Sequence, residues 1–232
     1  MALQNKTARA AYWLTVLVLF AAAAAMLRWY TPDEATMGPI QKIFYLHLPS
    51  AINSLLACTV VFAASVGYLW RQRAWWDDLA LAAAKVAVLL CSVVLLSGMI
   101  WAKVAWGAWW SWGSNKLVFS LALWLLYVVY LILRPSIEAH RRRALVSAVY
   151  GVIAFIDVPF VYFAGKMIIT RTADPFHPAA AQLMAPEMKL TLAAWFIPVT
   201  LLTAGLIVEA FNANRRKSLQ RQDTTGIPSQ NV

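Results

Sequence analysis

Six runs of mostly apolar residues, near 12–29, 49–70, 79–101, 117–133, 144–165 and 189–210, alternate along the chain with short polar or basic segments. A helix needs about twenty such residues to cross the hydrocarbon of a bilayer. The pattern therefore predicts an all-α polytopic membrane protein with six transmembrane helices, the fourth of them short. Between the first two runs, the second half of the segment 30–48 mixes basic and apolar positions, which predicts a short helix lying against the membrane before a span that starts at Pro49. A second short helix is expected at 179–183. Residues 1–211 read as one transmembrane domain. From Asn212 to Val232 the chain turns polar, and a disordered tail is expected there. No repeat of fixed period is present, nor an inverted pair of Gly- or Pro-broken runs of the kind that marks transporter sites.

Charge adds an orientation. Twelve Lys and Arg fall in the N-terminal segment and alternate connections, against seven on the other side. Because positive residues collect on the cytoplasmic side, both termini are expected inside. Lys6 and Arg9 precede a long first run without a clear small-residue cleavage pattern, so that run reads as an uncleaved span. His47, the 102–116 connection and His177 then share the outer side, while His140 lies in an Arg-rich inner segment.

Composition narrows the classes. With 62% hydrophobic and 13% charged residues the chain is far from a soluble domain. The net charge of +10 is spread over short clusters between spans, as topology requires, which excludes nucleic acid as a partner. Cys58 and Cys91 both lie inside apolar runs, and no CxxC, CxxCH or Cys/His zinc spacing is present. That argues against a thiol oxidoreductase, a c-type cytochrome and a zinc enzyme.

The outer connection Trp106-Gly107-Ala108-Trp109-Trp110-Ser111-Trp112-Gly113 holds four of the chain's twelve tryptophans. One reading is an interfacial belt. The other is a flat aromatic platform, favoured because a belt needs only one or two aromatics per helix end. Imidazole is a good ligand for haem iron, and the flat apolar macrocycle needs broad aromatic contact. His47 and His177 flanking a tryptophan platform could supply both, either as two axial ligands of one iron or with one position filled by a partner. Lys103, Lys116 and Arg171 are the outer cations placed to meet haem propionates, and composition does not choose among them. Each of these side chains also has a plain reading, as an interface histidine or a solvated charge at a span end. Three ionisable residues fall within spans: Lys85 and Glu209 near inner ends, and Asp157 deeper, beside Pro159, which frees a carbonyl and bends its helix. Asp157 either bonds a neighbouring helix or lines the outer cavity.

Trp106 to Trp112 resembles the W-G-x-x-W-x-W-D signature of the tryptophan-rich "WWD" haem-handling proteins of cytochrome c maturation. The six spans and the context Tyr45-Leu46-His47-Leu48-Pro49 resemble the CcmC family in particular, and Arg171-Thr172 with His177-Pro178 is similar to that family's R-T-x-H run. The resemblance implies a multi-pass protein of the bacterial inner membrane with both termini cytoplasmic. It further implies non-covalent, transferable b-type haem held at the periplasmic face for a CcmE-like haem chaperone. The partners it implies are that chaperone, a CcmAB-like ABC transporter pair and a CcmD-like small subunit, with the lipid bilayer around them. His47 and His177 are the implied axial ligands, and Trp106, Gly107, Trp109, Trp110, Trp112, Lys116 and Arg171 the implied haem contacts. The family handles haem and is not a metabolic enzyme. This chain departs from the signature at Gly113, where Asp is usual, and has three extra residues between Arg171-Thr172 and His177. Two rivals remain: a cytochrome c synthase of the alternative assembly system, which would have more spans and a large outer domain, and a small permease with an aromatic interfacial loop.

Overall fold

The computed structural model describes residues 5–35, 37–164 and 184–225, with the side chains of the last helix described as far as Gln220. Among these residues are helices α1 (Lys6–Ala25), α2 (Phe44–Arg71), α3 (Ala74–Trp106), α4 (Asn115–Leu133), α5 (His140–Ala154), α6 (Asp157–Phe163) and α7 (Pro186–Thr225). Six segments are long and apolar enough to cross a membrane: Lys6–Tyr30, Pro39–Arg71, Ala74–Trp106, Asn115–Leu133, His140–Phe163 and Pro186–Gln220. The all-α, six-span architecture expected from the pattern is the architecture found.

The antiparallel pair α2 and α3 is the centre of the bundle, and α4, α5 and α7 pack on it. Its seam is made of small side chains. Ala57, Val61 and Ala64 of α2, at helical spacing, face Ala80, Ala83, Ala84 and Ala87 of α3, all buried. Lipid tails are as apolar as leucine, so helices in a membrane gain by close van der Waals packing, which small residues allow. Tyr127 and Tyr130 of α4 close the cluster from one side. The turn joining the pair is tight because Gln72 adopts a left-handed conformation (φ 49°) and its N–H reaches the Tyr68 carbonyl at 2.7 Å.

α3 has 33 residues, so at 1.5 Å per residue it is about 50 Å long. The hydrocarbon it crosses is about 30 Å thick, and both its ends must reach the polar interface. At one end Arg134 grips Asp77 through two hydrogen bonds, of 2.6 and 2.7 Å, tying α4 to α3. At the other end lie Lys103, Trp106 and the tryptophan connection.

Three expectations are corrected. First, no separate membrane-lying helix precedes Pro49: a 3-10 turn, Pro39–Ile43, runs directly into α2, and Pro49 lies inside that helix. Proline there removes one backbone bond, to the Tyr45 carbonyl, a loss that transmembrane helices accommodate. Second, α3 continues past residue 101 to Trp106, so the irregular part of the tryptophan connection shrinks to 107–114. Third, α7 continues through the polar stretch after 211 as far as Thr225. Asn214 and Ser218, one turn apart, bond the Asp78 carbonyl (3.0 Å) and the Asp78 carboxylate (2.7 Å), and Asn214 accepts from Lys85 at 2.9 Å. Polar composition suggested disorder, but these side chains find buried partners on α3.

The fifth span is broken as Pro159 predicts. α5 ends at Ala154, a turn covers Phe155 and Ile156, and α6 begins at Asp157. α1 is peripheral and packs on α7, where Trp195 donates to the Ala23 carbonyl at 3.2 Å. Glu209 is paired with Arg9 at 2.6 Å.

Candidate functional site

His47 is the fourth residue of α2, and the helix turns it toward α3. Its Nδ1 lies 2.9 Å from Ser97 Oγ. The Ser97 hydroxyl has a single hydrogen, with the Val93 carbonyl at 2.7 Å and the Val94 carbonyl at 3.2 Å as its backbone acceptors. With that hydrogen on Val93, Ser97 Oγ accepts from His47 Nδ1–H, the tautomer that puts the imidazole lone pair on Nε2. The ring is also fixed sideways. Trp101 meets it edge-on at 5.9 Å between centroids, and Phe44 meets Trp101 at the same distance. Close approach from α3 depends on Gly98, where a Cβ would stand 3.2 Å from His47 Cε1. A larger residue at 98 would push the imidazole aside.

Between the ends of α2, α3 and α4, with Val161 and Tyr162 of α6, lies a cleft of about 270 Å³. Its α3 wall is one helical face: Val94, Gly98, Ala102 and Trp106 recur every fourth residue, with Trp101 beside them. His47, Trp110 and Lys116 complete the mouth. The volume is at the lower end of the range for small-molecule sites, roughly 300–1,000 Å³. Such a cleft receives part of a large flat ligand and leaves the rest outside.

α3 stops at Trp106 because Gly107 takes a left-handed conformation (φ 76°), which glycine adopts without steric cost. Lys103 seals that helix end by donating to the Gly107 carbonyl at 3.0 Å, and its ammonium lies 6.0 Å over the Trp109 ring. Trp101 and Trp106 form a tilted pair at 5.9 Å, and Trp110 and Trp112 an edge-on pair at 5.6 Å. Their exposures differ: Trp110 is half-buried, whereas Trp109 and Trp112 are 54% and 75% exposed. The buried indole N–H groups of Trp101 and Trp110 have no hydrogen-bond partner among the described residues. Buried donors are rarely left so, and both indoles belong to residues that line the cleft.

Of the residues selected from sequence, His47, Trp106, Trp110 and Lys116 come together on this cleft. Trp109 and Trp112 stand outside its walls, on the exposed side of the connection, and Gly107 shapes the backbone. Among the three outer cations, Lys116 is on the cleft, while Lys103 serves its own helix end. Arg171 and His177 lie outside the described residues, as do Lys166 and the short helix expected at 179–183. Asp157 Oδ2 is buried without a hydrogen-bond partner among the described residues, and Asp157 is not among the residues that line the cleft. Ser97, Gly98 and Trp101 were missed. Their one signal is spacing, since Ser97 and Trp101, and Gly98 and Ala102, are pairs four apart leading into Trp106 on one face of α3.

A family model described as heme exporter protein C matches residues 1–225. Similar curated proteins carry the same name: one from Bradyrhizobium diazoefficiens is 29% identical over 159 residues, 68% of this chain and 60% of that protein. One from Paracoccus denitrificans is 27% identical over 178 residues, 77% of this chain and 71% of that protein. One from Escherichia coli is 28% identical over 137 residues, 58% of this chain and 55% of that protein. The match thus spans between about half and three quarters of the length of these relatives.

Proposed function

Since the chain belongs to the heme exporter protein C family, we propose that it is a haem-handling protein of c-type cytochrome maturation that presents haem at the tryptophan-loop end of the bundle. The observation that carries this reading is His47. A histidine whose Nδ1–H is committed to Ser97 Oγ offers Nε2 as a metal ligand, and it sits at the mouth of an indole-walled cleft. Hydrogen bonding at the far nitrogen both orients the ring and raises its basicity as a ligand.

The other residues fit haem as cargo. Trp101, Trp106 and Trp110 supply apolar faces for the macrocycle edge that enters the cleft. Lys116 at the mouth meets a propionate, and the unsatisfied indole N–H groups of Trp101 and Trp110 can donate to carboxylate oxygens. His177 and Arg171 supply the second axial ligand and a second propionate contact in this proposal. The exposed Trp109 and Trp112 extend the platform outside the cleft, where a haem only partly enclosed remains accessible to a receiving protein. In that arrangement the tryptophan connection faces the periplasm, the receiver is a CcmE-like chaperone, and CcmAB- and CcmD-like subunits assist. The chain binds and hands over haem without making or breaking a bond in a metabolite.

Purification from haem-replete cells followed by an absorption spectrum tests the proposal. A Soret band that transfers to added chaperone is the expected result. A protein that stays colourless under those conditions overturns the haem reading and favours a permease whose loop is only an anchor.

A further inference from the structure

We propose that the polar cavity at the end of the bundle opposite the tryptophan loop binds the headgroup of a membrane phospholipid, its phosphate against the cavity's lysines and its amine or hydroxyl donor against Asp78. The cavity measures about 340 Å³ and is enclosed by α3, the end of α4, the start of α5 and α7. Nothing in the proposed haem chemistry uses it.

Its lining combines four basic side chains, Lys85, Arg134, Arg143 and Lys217, and His140 with two carboxylates, Asp77 and Asp78. Arg134 and Asp77 neutralise each other through their paired hydrogen bonds, so the remaining lining keeps an excess of positive charge around Asp78. Lys85 stands seven positions along α3 from Asp78, about 10 Å deeper toward the hydrocarbon. Its ammonium has three donors, and among the described residues it uses one, on the neutral Asn214 Oδ1 at 2.9 Å. An ammonium this deep in a span calls for an anionic partner.

Asp78 decides what kind of anion. Its side chain is 6% exposed, and Oδ1 accepts from Ser218 at 2.7 Å. Oδ2 has no hydrogen-bond partner among the described residues, only the Arg215 guanidinium at 3.8 Å. A buried carboxylate oxygen in this state needs a donor. Inorganic phosphate is more highly charged near neutral pH than a phosphodiester, so it meets Asp78 with more repulsion, and it brings no apolar part for Leu81, Leu131 and Pro135. A headgroup that carries an ammonium or hydroxyl beside its phosphate satisfies the lysines and the carboxylate together. The rest of the wall suits the glycerol and upper acyl chain of the same molecule, since Leu81, Leu131 and Pro135 are apolar. Basic pockets between spans near a membrane surface are where phospholipid headgroups bind.

The test uses full-length protein in a nonionic detergent, stripped of lipid, with its thermal unfolding followed on titration. The probes are short-chain phosphatidylethanolamine, phosphatidylglycerol, phosphatidylcholine and inorganic phosphate. The first two carry headgroup donors and are expected to raise the melting temperature saturably. Phosphatidylcholine has a phosphate without a donor and is expected to do so much less, and inorganic phosphate not at all. Lys85→Gln and Lys217→Gln are each expected to raise the half-saturating lipid concentration about tenfold, one lost charge-assisted contact. Asp78→Asn should erase the preference over phosphatidylcholine. Equal stabilisation by inorganic phosphate, equal stabilisation by phosphatidylcholine in the parent, no stabilisation by any lipid, or unchanged half-saturation in the lysine variants each overturns the proposal. Should Lys85→Gln fail to fold, the exposed Lys217 carries the same comparison.

Discussion

Ser97 is the residue on which the chemistry of His47 turns. With its hydrogen on the Val93 carbonyl, 2.7 Å away, its oxygen accepts from the imidazole Nδ1–H, the arrangement that leaves Nε2 for a metal. Partners of this kind typically change metal affinity by about 10–100-fold when removed. Ser97→Ala is accordingly expected to weaken haem binding by about that factor with the fold intact, and Ser97→Thr to retain most of it, as measured by haem titration of the purified protein. Loss of binding in both variants would point to packing in place of the hydrogen bond. The difference between His47 and Ser97 also marks what could be read without a structure. A histidine beside a tryptophan cluster suggests a ligand by its chemistry alone. A serine among leucines and valines carries no such mark, because which groove it faces depends on the rotation of α3 against α2.

At the scale of elements, the two ends of α3 do different work. One end holds the Asp77 and Arg134 pair, whose side chains are both buried. Leaving one charge of a buried pair unanswered costs about 3–5 kcal/mol. Asp77→Asn should therefore lower thermal stability markedly, while Asp77→Leu combined with Arg134→Met recovers most of it. A melting temperature unchanged in the single variant would contradict this. The other end opens into the tryptophan connection, where Gly113 stands at the position of the Asp in the signature that this connection resembles. A Cβ there meets only Ser111 Oγ, at an ordinary 3.7 Å, so a side chain fits. Gly113→Asp is expected to leave haem occupancy unchanged, because the indoles supply the contact, and to alter the rate of handover to the chaperone. The opposite pattern, altered occupancy with unaltered handover, would contradict it. Helix boundaries were the least legible part of these elements. Pro49 looked like a start and proved internal, and the polar run after 211 looked unfolded though Asn214 and Ser218 anchor it to Asp78. Both depend on tertiary partners that local composition does not announce.

Across the whole molecule, the six spans were legible because a membrane demands long apolar runs, and no competing pattern was present. The bend at Pro159 was legible for a covalent reason, a missing N–H. Convergence of His47, Trp106, Trp110 and Lys116 on one cleft needed the structure, since topology assigns a side and not a distance. Orientation remains a prediction from the basic residues. With cysteines introduced singly, a membrane-impermeant thiol reagent should label position 111 in intact cells and leave position 136 unlabelled; the native Cys58 and Cys91 are buried and should stay silent. The reverse labelling would invert the topology. In the proposed arrangement His47 ligates haem at the tryptophan-walled cleft, with His177 opposite. Its most direct measurement is the absorption spectrum of haem-loaded parent, His47→Ala and His177→Ala proteins, with and without imidazole. Two histidine ligands predict a low-spin parent, and in each variant a shift to high spin or haem loss that imidazole reverses. A His47→Ala protein with the parent's spectrum and haem content would contradict ligation by His47.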